Sequence, residues 1–254
     1  YYDFAPKLTM TQVLRELEEG QSHFHTVTIP EGYSLEQIAS LLENKGLSKK
    51  EDFLQAAQAD NFNFSFLEEA RKKNLSLEGY LFPATYRIEV EATEKDIINL
   101  MLKHFGQVVD SQFQKEVQAR GISLHELVTL ASIIEKEVKV DSERPLIAAV
   151  FLNRLDKKML LQSCATVQYI LKEPKKRLTN EDTRVSSPYN TYLHSGLPPA
   201  PIASPGRASL EAALHPAKVD HLFFVAKGDG THYFSNNFEE HRAAIAKVRS
   251  TKKN

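Results

Sequence analysis

The sequence predicts an α+β protein: a small β-α-α unit, then a mostly helical region carrying one β-hairpin and a long proline-rich loop. Three observations predict it. Serine-led capping boxes precede apolar runs of helical spacing at Ser34, Ser48 and Ser123. β-rich runs are few and short: His25 to Ile29, then His221 to Ala226 and Thr231 to Ser235 flanking Lys-Gly-Asp-Gly, a hairpin signal. Finally, residues 186–206 hold five of the eleven prolines, and long ordered loops in compact domains are usually functional.

Taken in order, residues 1–20 form an amphipathic segment, with a short helix from Thr9 or Thr11 through Leu17 to Gly20. His25 to Ile29 is a strand closed by Pro30 and Gly32. Ser34-Leu-Glu-Gln37 opens a helix with Ile38, Leu41 and Leu42 on one face and Gly46 as its stop. Ser48-Lys-Lys-Glu51 repeats the pattern and opens a second helix carrying Phe53, Leu54 and Ala57. Residues 75–90 read as an extended connection into a second domain, giving units 1–82 and 83–254. Thr93 to about Ala119 has strong helical periodicity, Ser123-Leu-His-Glu126 starts the next helix, and Arg144 to Leu155 is helical again. Ser209 to Leu214 is a helical turn or two, and Asn237-Phe-Glu-Glu240 caps a final helix.

Composition narrows the function classes. Forty-two per cent apolar and 26% charged residues suit a globular chain rather than a disordered one. No apolar run approaches the ~18 residues of a membrane span, and no signal-peptide pattern is present. Net charge is −1, from −5 in residues 1–60 and +4 in the rest, with no basic stripe to mark a nucleic-acid partner. The single cysteine, Cys164, excludes an internal disulfide and a multi-cysteine metal site.

The helix opened by Ser123 places a carboxylate among apolar residues. At ~100° per residue, Glu135 falls within about 20° of Leu124, between it and Val128, whereas Glu137 lies at about 220°, on the far side with Leu130 and Ile133. A carboxyl among Leu, Val and Ile loses hydration, so its pKa rises toward what a general acid near neutral pH needs. The alternative is a Glu at the stripe edge, paired with Arg or Lys. Tyr189, Asn190, Thr191 and Tyr192 set aromatic faces beside amide and hydroxyl groups, a mixture suited to sugar rings. His125-Glu126 lacks the second histidine of a zinc protease motif, the five histidines from His194 to His241 have no ligand spacing, and Cys164 lacks a nucleophile signature. Neither a metal nor an organic cofactor is implied.

Taken together and in order, Ala131-Ser-Ile-Ile-Glu-Lys-Glu137, Leu161-Gln-Ser163 with Thr166-Val167, Tyr189-Asn-Thr-Tyr192, Gly196-Leu-Pro-Pro199 and Ser204-Pro-Gly206 resemble the endolytic murein transglycosylases, the YceG-like or MltG family. Leu77-Glu-Gly-Tyr-Leu-Phe-Pro83 and Phe224-Val-Ala226 with Gly230-Thr-His232 fit as well. Cys164 and Ala165 stand where the family pattern has Asp-Pro, and Ala200 where it has Gly.

The resemblance implies an extracytoplasmic enzyme of the bacterial cell membrane. A single-pass anchor would precede Tyr1, and wall-synthesis proteins are its possible partners. The substrate would be peptidoglycan glycan strands, cut internally by lysis to leave 1,6-anhydro-N-acetylmuramic acid ends. It places the catalytic acid on Glu135, acting as acid and then as base. Gln162, Ser163, Tyr189, Asn190, Thr191 and Tyr192 are expected to bind substrate, with Glu78 near the domain junction. The first unit is expected to be a LysM-like β-α-α-β module, from about Thr26 to Phe82, with Tyr80 to Ile88 as return strand and hinge. Rival readings are a two-carboxylate muramidase using Glu137 or Asp141, a non-catalytic glycan-binding scaffold protein, and a cysteine hydrolase at Cys164.

Overall fold

The computed structural model describes residues 7–19, 24–172, 175 and 178–251. Its architecture is α+β, with eleven helices and two two-stranded antiparallel sheets among these residues. Helix α1 (Met10–Glu19) begins where the side chains of Thr9 and Gln12 close a capping box, and Gly20, read as its stop, lies outside the described residues. Strand β1 (Phe24–Thr28) pairs with β2 (Thr85–Glu89), Val27 opposite Tyr86. Val27, Ile29, Tyr86 and Ile88 are buried, so the alternation faces one side of this ribbon to the core.

Helix α2 (Leu35–Asn44) has the expected Ser34–Gln37 capping box and ends at Gly46, whose φ of +70° a side chain would strain. Helix α3 (Lys50–Ala56) differs from expectation. Its cap residue is Lys49, without a side-chain cap, because the Ser48 hydroxyl donates to Glu94 Oε1 at 3.0 Å instead. Two 3-10 turns and the short α4 (Glu68–Lys72) follow.

The stretch read as an extended connection is core. Leu77, Tyr80, Leu81 and Phe82 are buried, and residues 85–89 are β2 itself. One continuous apolar cluster runs from Val27 to Leu214 across the expected boundary at 82/83. Gly79, at φ +85°, packs so tightly on the proline-rich loop that a Cβ there would lie 2.3 Å from Pro201 Cβ. Beside it, Tyr80 Oη meets His125 Nδ1 at 2.8 Å, and His125 Nε2 lies 2.8 Å from the Pro199 carbonyl. The carbonyl can only accept, so Nε2 carries the hydrogen and Nδ1 accepts from the tyrosine.

The periodic stretch from Thr93 is two helices, α5 (Glu94–Val108) and α6 (Ser111–Ala119), split where Asp110 caps the second. Helix α7 (Leu124–Glu137) opens with the Ser123–Glu126 capping box and is the central element, every residue from His125 to Ile134 other than Glu126 being buried. Helix α8 (Arg144–Asp156) packs on α7, and α9 (Cys164–Leu171), not expected from sequence, is capped by Ser163. Residues 186–206 carry no helix or strand. Helix α10 (Arg207–Leu214), the hairpin β3 (Phe223–Ala226) and β4 (His232–Ser235), and α11 (Phe238–Thr251) complete the chain. Among the described residues no helix is long and apolar enough to cross a membrane.

Candidate active site

A groove of about 1230 Å³ runs between the N-terminal β-α-α unit and the helical region. That exceeds the ~300–1,000 Å³ of ordinary small-ligand pockets and leaves room for a chain of rings. One wall is α2, with Glu36, Gln37 and Ser40; the other comprises the end of α7, helix α9 and the hairpin. Polar and aromatic side chains meet there: Glu78, Lys136, Glu137, Tyr169, Tyr189 and His232.

Glu137 is the last residue of α7. Its Oε1 accepts the Ser163 hydroxyl at 2.5 Å. Burial pushes its carboxyl up from the ordinary range, against the Ser163 hydroxyl, the Ala165 amide and the charge of His232. The turn that delivers Ser163 is tightly made. Gln162 adopts φ +50° and its N–H donates to the Thr191 carbonyl at 3.0 Å. Thr191 Oγ1 accepts from the Ser163 N–H at 3.0 Å and pairs with Thr166 Oγ1 at 2.9 Å.

Glu78 lies on the same groove, buried. Its Oε1 accepts the Leu35 N–H at the start of α2, and its Oε2 accepts the Tyr169 hydroxyl at 3.2 Å. Burial pushes its carboxyl up to about 7 despite those bonds. Tyr169 in turn packs on Tyr189, ring centroids 5.2 Å apart.

Glu135 takes the second of the two settings left open by the sequence, a carboxylate paired with arginine. Its Oε2 accepts from Arg144 Nη1 at 3.1 Å, from the Gly206 N–H at 3.0 Å and from the Ser209 hydroxyl at 2.8 Å. Arg144 also donates to Asp141 and contacts Ser209. The carboxylate therefore sits at the N-terminus of α10, where the helix dipole favours an anion. It is not among the groove-lining residues, whereas Glu137 is. Helix α7 is covered on nearly all sides, so helical periodicity defines no solvent face and does not separate Glu135 from Glu137. The polar neighbours of Glu135 come from residues 9 to 74 positions away, beyond the reach of helical periodicity.

The other expected contacts divide. Tyr189 lines the groove, Ser163 reaches it through Glu137, and Tyr192 reaches it through Cys164, whose Sγ is 3.2 Å from its hydroxyl. Gln162 is exposed beside the turn. Asn190 and Thr191 are 0% and 2% exposed, so neither is open to a sugar. The Asn190 amide donates to the carbonyls of Thr183 and Val185, and its oxygen accepts from the Tyr192 N–H. Both hold the loop in shape. Cys164 is partnered by Tyr192, and burial pushes its thiol up, away from the thiolate a nucleophile needs.

Three features escaped the sequence reading. Glu31, in the turn after β1, packs on Gly206 so closely that a Cβ there would lie 1.9 Å from Glu31 Oε1. Burial and the nearby Glu135 raise its carboxyl. The same turn is pinned by Gly32 N–H to the Ser204 carbonyl, Ser204 N–H to the Tyr33 carbonyl, and Lys136 Nζ to the Gly32 carbonyl. Tyr169 and the His232–Glu143 pair are the others, the latter joined at 2.7 Å. No local spacing links residues 89 positions apart.

The model of the YceG-like family matches residues 1–247. An endolytic murein transglycosylase of Bacillus subtilis (strain 168) is 36% identical, the match covering 99% of this chain and 73% of that protein. An endolytic murein transglycosylase of Streptococcus pneumoniae serotype 2 is 33% identical over 100% of this chain, which spans about half of that protein (51%). A crystal structure of a putative yceG-like protein from Listeria monocytogenes is similar with a TM-score of 0.79 and 37% identity, over 95% of this chain and 83% of that one.

Proposed function

The chain belongs to the YceG-like family, and on that premise we propose that it is a peptidoglycan lytic transglycosylase that cuts within glycan strands, with Glu137 as its acid. The observation that carries this reading is a half-buried carboxyl, raised by desolvation against the Ser163 hydroxyl and the Ala165 amide, opening on a groove large enough for several sugars. Protonated Glu137 gives its proton to the glycosidic oxygen between N-acetylmuramic acid and N-acetylglucosamine. The muramoyl C6 hydroxyl attacks C1, the C1–O4 bond breaks, a 1,6-anhydro ring closes, and the hydroxyl proton passes to the Glu137 carboxylate. Ser163 orients the acid, while Tyr189 and Tyr169 offer ring faces to the sugars. Glu135 is the anchor that holds the end of α7 against α8 and α10.

Residues 1–82 with the return strand β2 serve as a LysM-like glycan-binding module, forming one wall of the groove, and residues 83–254 supply the chemistry. The enzyme acts outside the cytoplasm, tethered to the cell membrane by an anchor upstream and working beside wall-synthesis proteins.

A second reading has one observation in its favour. Glu78 lines the same groove with its carboxyl raised to about 7, so two carboxyls are present for a hydrolytic route. Mass spectrometry of digested glycan separates the two. Anhydro ends are expected; reducing ends would reject the lyase and leave the muramidase.

A further inference from the structure

The reaction just described uses one carboxyl as acid and then as base, and makes no use of an imidazole on the same groove. His232 opens β4, is buried, and lines the groove with Glu137. One carboxylate grips it twice: Glu143 Oε1 accepts its backbone N–H at 3.0 Å, and Glu143 Oε2 accepts from Nδ1 at 2.7 Å. Phe224 stands edge-on to the ring at 5.3 Å, with Phe234 at 6.3 Å, so the ring is held by packing as well.

An ionised carboxylate can only accept, so Nδ1 carries the hydrogen. In the neutral ring Nε2 is then a bare acceptor, the tautomer a proton-abstracting histidine needs. Among the described residues Nε2 has no hydrogen-bond partner.

We propose that His232, oriented by Glu143, is a second catalytic group: its Nε2 takes the proton of the muramoyl C6 hydroxyl as Glu137 gives its own to the departing oxygen. The proposal rests on the reading of Glu137 as the acid. The C6 O–H bond breaks and its proton moves to Nε2. The electron pair left on oxygen forms the bond to C1. The C1–O4 bond breaks, its pair leaving with O4, which takes the Glu137 proton. Imidazolium then stands across from carboxylate, and one proton passed back from His232 to Glu137 restores both. The charged groups facing the ring are Glu143 and Glu137, with Lys136 and Lys139 elsewhere on the groove.

The test is the pH dependence of kcat for anhydro-product formation on isolated glycan strands, using the full chain and three variants. His232→Asn should lose about 100-fold or more in kcat, the contribution typical of a positioned base, with KM changed by no more than a few-fold. It should also lose the acidic limb of the profile. Glu143→Gln is isosteric yet should do the same. Its oxygen must face the His232 N–H, so its NH₂ faces Nδ1 and donates, moving the ring hydrogen to Nε2. Should His232→Asn melt below the assay temperature, Glu143→Gln decides alone.

A kcat within threefold of the parent and an unchanged profile in the folded variants, with Glu137→Gln inactive, would overturn the proposal and leave the acid in place. Full turnover by Glu137→Gln would instead remove the acid reading, and this one with it.

Discussion

Replacing Ser163 with alanine removes the hydroxyl that donates to Glu137 Oε1 at 2.5 Å and leaves the carboxyl otherwise where it is. A hydrogen bond to a buried charged group is worth about 1.5–3 kcal/mol, and each pKa unit corresponds to about 1.4 kcal/mol, so the change is about one to two units. The sign follows from the chemistry. The hydroxyl favours ionised Glu137, so its loss raises a carboxyl that burial already holds high. Cleavage needs the protonated form and fades as pH climbs through that pKa. The alkaline limb of kcat should therefore move up by about one to two pH units in Ser163→Ala. The assay is the pH–rate profile of glycan cleavage, followed by chromatography of released fragments. Ser163 also accepts the Ala165 N–H at the start of α9, so the variant should lose about 1 kcal/mol of stability, read from its melt. Ser163→Thr keeps a hydroxyl and should leave the limb in place. A limb that stays put or moves down in Ser163→Ala would refute the reasoning, because it would mean Glu137 is not the group whose proton limits the rate.

Other outcomes follow from the same geometry. Burial pushes the Glu78 carboxyl up to about 7 from its ordinary 4.5, so the folded chain binds the extra proton between those values. Stability should fall as pH rises from about 4.5 to 7, and Glu78→Gln should flatten that slope and gain on the order of 3 kcal/mol at pH 7.5, by chemical denaturation across pH. Glu135→Gln keeps an acceptor for Gly206 and Ser209 but removes the buried one of the two carboxylates that Arg144 faces, leaving only exposed Asp141. It should lower stability by about 3 kcal/mol in denaturant titration. Gly79→Ala forces a Cβ to 2.3 Å from Pro201 Cβ at a φ of +85°, and should cost more than about 2 kcal/mol and loosen the proline-rich loop, seen as faster amide exchange at Ala200 and Ile202 to Ser204.

Much of the fold was legible because it is written locally. The Ser34 and Ser123 capping boxes, the Gly46 stop and the Lys-Gly-Asp-Gly hairpin each sit within a few residues of the structure they cause. Ser48 failed as a cap because a side chain 46 residues away competes for its hydroxyl. Helix α9 escaped notice because Ser163 caps it with Thr166, not Glu or Gln, three positions on, so no capping box marks its start, and the break at Asp110 because its flanks both look helical.

The candidate site was legible by motif and loop but not by residue. Periodicity offered Glu135 and Glu137 as opposite faces of one helix, and α7 turned out to be enclosed, so burial alone could not rank them. What separates the two is tertiary. Arg144, Gly206 and Ser209 converge on the first, and Ser163 and the groove meet the second. The same limit hid the pairing of His232 with Glu143, one on a strand and the other in a turn before α8.

The most direct test compares Glu135→Gln and Glu137→Gln, both confirmed folded, for release of anhydro-ended fragments from glycan strands. Glu137→Gln should release none while still binding the strands, and Glu135→Gln should retain cleavage once temperature is lowered to offset its weaker fold. Cleavage by Glu137→Gln, with none by a folded Glu135→Gln, would contradict the assignment of the acid to the groove.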